Sequence, residues 1–186
     1  ALKLASEGRH VVVVSSGDPG VFAMASAVFE AVETGPLSWR ELDITVLPGI
    51  TAMLAAAARL GAPLGHDFCV INLSDNLKPW SIIETRLRLA VEADFAMAFY
   101  NPRSKARPEG FEKALDLLKS ACEKERLIMF ARAVSTPEES LLTVALSDAT
   151  PDMADMRTMV LLGSRQTRLI PRKNAAPIVY TPRSIR

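Results

Sequence analysis

Apolar and polar positions change their rhythm along this chain, and the rhythm predicts the elements. Val11 to Val14 is an unbroken β-branched run, the pattern of a strand buried on both faces as in a parallel sheet. A helical pattern follows, with Asp18 at the N-cap position, Pro19 at the first helical position and Thr34-Gly35-Pro36 closing it. Ile44 to Leu47 predicts a second strand, which Pro48-Gly49 turns into a helix over Ile50 to Leu60. Small residues on nearly every face of that helix suit tight packing between neighbours. Gly61 to His66 then breaks the helical pattern with two glycines and a proline. A boundary placed here gives an N-terminal α/β domain over residues 1–65 and a C-terminal α/β domain over residues 66–186.

Past the boundary the alternation restarts. Strands are expected at Phe68 to Leu73, Phe95 to Tyr100 and Leu127 to Ala131, with helices at Pro79 to Glu92 and Phe111 to Glu123. Short strands follow at Leu142 to Leu146, Thr158 to Leu162 and Arg168 to Ile170. Alternating strands and helices followed by a run of strands define an α/β class with a mixed C-terminal sheet. Val11 to Val14 has the character of a central strand, so the parallel N-terminal sheet is expected to lack its first strand.

Composition narrows the function classes. Hydrophobic residues are 49% of the chain and aromatics only 6%, which favours helices on a sheet over a stacking platform for nucleic acid. The formal net charge of +1 supplies no global field toward nucleic acid or membrane. Cys69 and Cys122 are isolated in apolar segments, and His10 and His66 lack metal-ligand spacing. No stretch reads as a signal peptide or a membrane span, so a cytoplasmic protein is expected. Local charge is more pointed. From Arg157 onward every charged residue is basic, namely Arg157, Arg165, Arg168, Arg172, Lys173, Arg183 and Arg186, and Arg103, Lys105 and Arg107 form a second basic loop.

Candidate chemistry gathers where strands empty into turns. In a parallel sheet, ligands bind beyond the carboxyl ends of the strands, the position of Ser16-Gly17-Asp18-Pro19-Gly20. The turn is neither a Walker A loop nor GxGxxG, and Pro19 removes an N–H that a phosphate cradle would use. Asp18 either caps the helix or accepts hydrogen bonds from a ligand, and these residues leave both readings open. Pro48-Gly49-Ile50-Thr51-Ala52 is a second such turn, with Thr51 and Ala52 expected beside Gly17 and Asp18 if the two strands are neighbours. Asp75 lies between a strand and a helix, where it serves as a turn residue or as a catalytic carboxylate.

"VSSGDPGVFAMA", "LPGITAMLAAAARLGAPLGHDF", "INLSDNLKPW", "AFYNPRSKAR", "FARAVSTPEES" and "VLLGSRQTRLI" occur in that order. In them the chain resembles the tetrapyrrole methylase family over essentially its whole length, with "LSDNLKPW" and "YNPRSKAR" most similar to the corrin-forming branch. The resemblance implies a two-domain class III methyltransferase that folds S-adenosylmethionine (SAM) into a cleft between domains and releases S-adenosylhomocysteine. The implied cofactor contacts are Ser16, Gly17, Asp18, Val21, Thr51 and Ala52, then Tyr100, Asn101, Ala133, Val134 and Thr158. It further implies methyl transfer to a pyrrolic carbon of a precorrin in cobalamin biosynthesis, with ring contraction, by a homodimer. Arg103 is the expected contact to the carboxylate arms of such a macrocycle, since arginine forks suit carboxylates. The family's opening strand and GxGPG-like loop have no match here and are expected to precede Ala1. Competing readings are another methylase of the same fold, acting on a different precorrin carbon or on rRNA, and a non-catalytic binding remnant.

Overall fold

A computed structural model describes residues 1–104 and 108–184. The chain divides into two units, Ala1–Ala52 and Met53–Arg186. The Gly61 to His66 segment, where the pattern places a boundary, therefore lies inside the second unit.

The second unit is built on a five-stranded mixed sheet of order β2-β3-β6-β4-β5. Its strands are β2 (Phe68–Asn72), β3 (Ala96–Tyr100), β4 (Leu127–Arg132), β5 (Ser140–Ala145) and β6 (Thr158–Leu162). β2 and β3 run parallel, while β6 is antiparallel to both of its neighbours, β3 and β4. Side chains alternate across the sheet as the period of two requires. Met97, Phe99, Ile128, Phe130, Val160 and Leu162 face one core, filled by Ile83 and Leu87 of α4 (Trp80–Glu92) and by Phe111, Leu115 and Leu118 of α5 (Glu109–Ala121). Phe111 meets Phe130 edge to face, with ring centroids 6.1 Å apart. Ala98, Met129, Ala131 and Leu161 face the other core, against Ala56 and Leu60 of α3 (Ala52–Leu60).

A smaller sheet of order β1-β8-β7 joins β1 (Gly61–Ala62), β7 (Arg168–Ile170) and β8 (Ile178–Tyr180). Gly61, at φ 131, has a conformation that L side chains rarely adopt, and a β-carbon there would collide with the Val179 backbone. β1 and β8, runs of two and three residues, are absent from the sequence expectation.

The first unit holds α1 (Leu2–Ser6), α2 (Met24–Thr34) and a 3-10 turn at Leu37–Glu41. Here the expectation of a parallel sheet is corrected, since neither Val11 to Val14 nor Ile44 to Leu47 is a strand. Val12 and Val14 are 83% and 87% exposed. A buried strand needs ladder partners for its backbone and a covering layer for its faces. Neither run belongs to a sheet ladder among the described residues, so β propensity alone leaves both without strand pairing and largely exposed.

Candidate functional site

In the first unit, Asp18 does not cap a helix. α2 begins at Met24 with Ala23 as its N-cap, so the predicted capping role of Asp18 and Pro19 is corrected. The Asp18 carboxylate instead accepts the Gly20 amide at 2.8 Å through one oxygen and the Gly49 amide at 3.1 Å through the other. A capping side chain serves only the helix that it starts. Asp18 serves a residue 31 positions away, and so joins the two turns that the sequence singled out. Gly17 stands at φ 73, and a β-carbon on Gly49 would overlap the Gly17 carbonyl oxygen. Gly17 is thus fixed by its left-handed conformation and Gly49 by close backbone approach. Thr51 is buried just beyond them, while Ser16 and Ala52 are exposed and Val21 is half-buried. The Val21 amide donates to the Asp18 carbonyl at 3.2 Å, continuing the turn.

In the second unit, the ladder register brings the remaining predicted residues to one end of the sheet. Asn72 pairs with Tyr100 and Arg132 with Thr158, so the carboxyl ends of β2, β3 and β4 share an edge with the start of β6. Asn101 and Ala133, the residues after β3 and β4, have left-handed φ values of 51° and 49°. Such conformations in non-glycine residues cost free energy and cluster at functional sites. The Asn101 side-chain amide donates to the Asn72 side-chain oxygen at 3.1 Å. The Tyr100 hydroxyl accepts the Met53 amide of α3 at 3.2 Å. Val134 packs on the core beneath the sheet. Thr158 is buried and its hydroxyl donates to Asp155 at 2.7 Å.

Asp75 lies in the exposed loop beyond the same end of β2. Lys78 of that loop donates to the Ser74 carbonyl at 3.0 Å, and burial first, then Arg86, lowers its pKa. Arg103 follows β3 and points a guanidinium nitrogen at the Pro151 carbonyl, 3.4 Å away. Lys105, Arg107 and Arg186 lie outside the described residues. Burial pushes the Cys69 thiol up to about 11 and raises Cys122 as well. A thiol raised by burial suits packing rather than nucleophilic chemistry.

Sequence reasoning missed the acidic residues that brace this end of the sheet. Asp155 accepts the Thr158 hydroxyl, the Arg132 Nε at 2.7 Å and the Arg157 amide at 2.9 Å. Burial, the largest single influence, pushes its carboxyl up, but the hydrogen bonds from Thr158, Arg132 and the Arg157 amide, with the Arg132 charge, together hold it below the ordinary value. Glu139 accepts Arg59 and the Ser135 amide, and the Arg59 hydrogen bond is the chief cause of its lowered pKa. Lone acids in a polar stretch carry no periodic signal. Only the left-handed turn that they support would have marked them.

Glycine-bound turns mark the first unit and left-handed strand ends mark the second, in an α/β protein. The chain belongs to the tetrapyrrole (corrin/porphyrin) methylases, whose sequence pattern matches residues 1–150. It is similar to the precorrin-3B C(17)-methyltransferase of Sinorhizobium sp, at 52% identity over 183 residues, covering 98% of this chain and 72% of that protein. The crystal structure of the methyltransferase CobJ is similar at a TM-score of 0.90 and 64% identity, covering 97% of this chain and 73% of that one. The uroporphyrin-III C-methyl transferase of Thermus thermophilus, crystallised with S-adenyl homocysteine, shares the fold at a TM-score of 0.61 and 20% identity, covering 87% of this chain and 69% of that one.

Proposed function

We propose that this chain transfers a methyl group from SAM to C17 of precorrin-3B in cobalamin biosynthesis. The observation that carries this reading is the 52% identity over nearly the whole chain with a precorrin-3B C(17)-methyltransferase. The chain is read as acting in the cytoplasm as a homodimer, without nucleic acid or membrane as partner. Among the described residues no helix is long and apolar enough to cross a membrane.

The donor groups fit SAM better than a phosphate-bearing cofactor. An adenosyl and amino-acid ligand is met by backbone groups and small residues, which is what the turns offer. Gly17, Asn101 and Ala133 swing the chain out of regular geometry at their turns, and Pro19 supplies no N–H. Ser16, Gly17, Asp18, Val21, Thr51 and Ala52, with Tyr100, Asn101, Ala133, Val134 and Thr158, would be the SAM contacts.

When bound, SAM supplies a methyl group already made electrophilic by its sulfonium. The chain's own task is then chiefly positioning and the exclusion of water, with little acid–base machinery. Asp18 keeps the two first-unit turns in register, and Tyr100 keeps α3 on the end of β3. Arg103 would take a carboxylate arm of the macrocycle. Asp75 would orient the ring or accept a proton from it. Ring contraction is part of the activity that the family resemblance implies, and no residue is assigned to it.

The test is incubation of the chain with methyl-labelled SAM and precorrin-3B. The expected result is label in the macrocycle and a mass gain of one methyl group. Binding of S-adenosylhomocysteine without any transfer of label would overturn the catalytic reading and leave a binding protein.

A further inference from the structure

The strongest lead outside the predicted site is the carboxylate of Glu139. Arg59 of α3 forks onto it, with Nε 2.9 Å from Oε1 and 3.1 Å from Oε2, and Nη2 2.7 Å from Oε1. The same carboxylate accepts the backbone amide of Ser135 at 2.8 Å. Ser135 stands at φ 64 and Ala133 at φ 49. Two left-handed non-glycine residues this close together persist only where their surroundings hold them. The Ser135 amide on Glu139 and the Thr136 hydroxyl on the Ala133 carbonyl at 2.8 Å do so here, together with the backbone bonds from the Thr136 amide to Ala133 and from the Ala133 amide to Arg157.

An exposed ion pair contributes little by itself, and the Arg59 side chain is 56% exposed. Glu139 differs in two respects. Its side chain is only 17% exposed, and its carboxylate serves a strained backbone amide as well as a guanidinium fork. The helix that it grips is held elsewhere too, because the Met53 amide at its start donates to the Tyr100 hydroxyl. α3 is therefore pinned at Tyr100, beside the left-handed Asn101, and at Glu139, beside the left-handed Ala133 to Ser135 turn.

We infer that Glu139 is a positioning residue: with Arg59 it locks the Ala133 to Ser135 turn to α3 in the conformation that receives SAM, without touching SAM itself. This rests on the cofactor reading proposed above. Glu139 and Arg59 act as one unit, so removing either loses the effect and removing both loses little more.

The experiment is calorimetric titration with S-adenosylhomocysteine, paired with hydrogen exchange at the Ser135 amide. The proteins are wild type, Glu139→Ala, Glu139→Gln, Arg59→Ala, the double alanine variant and Glu84→Ala. Glu84 pairs with Arg88 along α4 on the surface and controls for loss of an ordinary ion pair. Glu139→Ala and Arg59→Ala should each weaken binding on the order of tenfold, the equivalent of one charge-assisted hydrogen bond. The double variant should fall no further than either single one. Glu139→Gln keeps an oxygen for the Ser135 amide and should recover part of the loss. Glu84→Ala should bind as wild type does. Glu139→Ala with unchanged affinity, or with unchanged Ser135 exchange, would overturn the inference and leave a plain surface bridge. If wild type takes up no S-adenosylhomocysteine, it is the cofactor reading that fails. Ser135 exchange then decides the turn-holding role alone, faster in Glu139→Ala if it stands and unchanged if it does not.

Discussion

Gly49 donates its amide to the Asp18 carboxylate at 3.1 Å, and it packs so tightly on Gly17 that a β-carbon would overlap the Gly17 carbonyl oxygen. One acid and two glycines thus fold two distant turns into a single object. Asp18→Ala should release both amides that the carboxylate holds. Hydrogen exchange at Gly20 and Gly49 should quicken by about tenfold or more, since an ionised acceptor is worth more than a neutral one. Exchange unchanged at Gly49 would reduce Asp18 to a local turn former.

The second-unit core and the first-unit valine run should respond oppositely to substitution. Phe111 is fully buried against Phe130, and Phe111→Ala should cost about 3–5 kcal/mol. Val14 is 87% exposed, and Val14→Thr should stay within about 0.5 kcal/mol of wild type. Urea unfolding checks both. Trp80, packed against the core of the second unit, reports the first change in a Trp39→Phe background. Trp39 reports the second in a Trp80→Phe background. A loss above about 2 kcal/mol in Val14→Thr would restore the buried strand that the sequence pattern suggests.

That contrast marks what the sequence could and could not reveal. Ala96–Tyr100 and Thr158–Leu162 were legible because fully buried strands read as continuous apolar runs bounded by turn residues. Val11 to Val14 has the same appearance, but whether such a run becomes a strand depends on neighbours that its own residues do not specify. Asp18 was found, yet its role was not, because the partner is 31 positions away and an acid before a proline has a ready local explanation as a cap. Glu139 and Asp155 escaped for the opposite reason. Each braces a backbone shape, and left-handed conformation at Ala133, a residue that seldom adopts it, leaves no mark in composition. The ladder register gathered Tyr100, Asn101, Ala133 and Thr158 at one end of a sheet, a grouping that the motifs suggested and only the topology could place.

Acid should weaken the second unit through Glu123. Its own backbone amide first, and the Arg165 hydrogen bond next, hold this carboxyl at about 2 against an ordinary 4.5. A folded pKa below the unfolded one gives stability that is fully present above the unfolded value. That stability is lost as pH falls from about 4.5 through about 2. Glu123 also accepts the buried Arg126 at 2.9 Å, alongside Asp94 at 2.8 Å. Thermal midpoints measured between pH 6 and pH 2 should fall less steeply below about pH 4.5 in Glu123→Gln than in wild type. The variant should be less stable at pH 6, where the ionised partner is missing. Parallel curves would show that Glu123 carries no share of the acid response.

The cofactor reading is tested most directly by calorimetric titration of S-adenosylhomocysteine into the wild-type chain and into Gly49→Ala. A β-carbon at Gly49 must push the Gly17 turn away, while the sheet end bearing Tyr100, Asn101 and Ala133 is left unaltered in sequence. Saturable one-site binding to wild type, weakened at least about tenfold in Gly49→Ala, is the predicted result. No binding to wild type at millimolar ligand, or equal affinity in the two proteins, would contradict it.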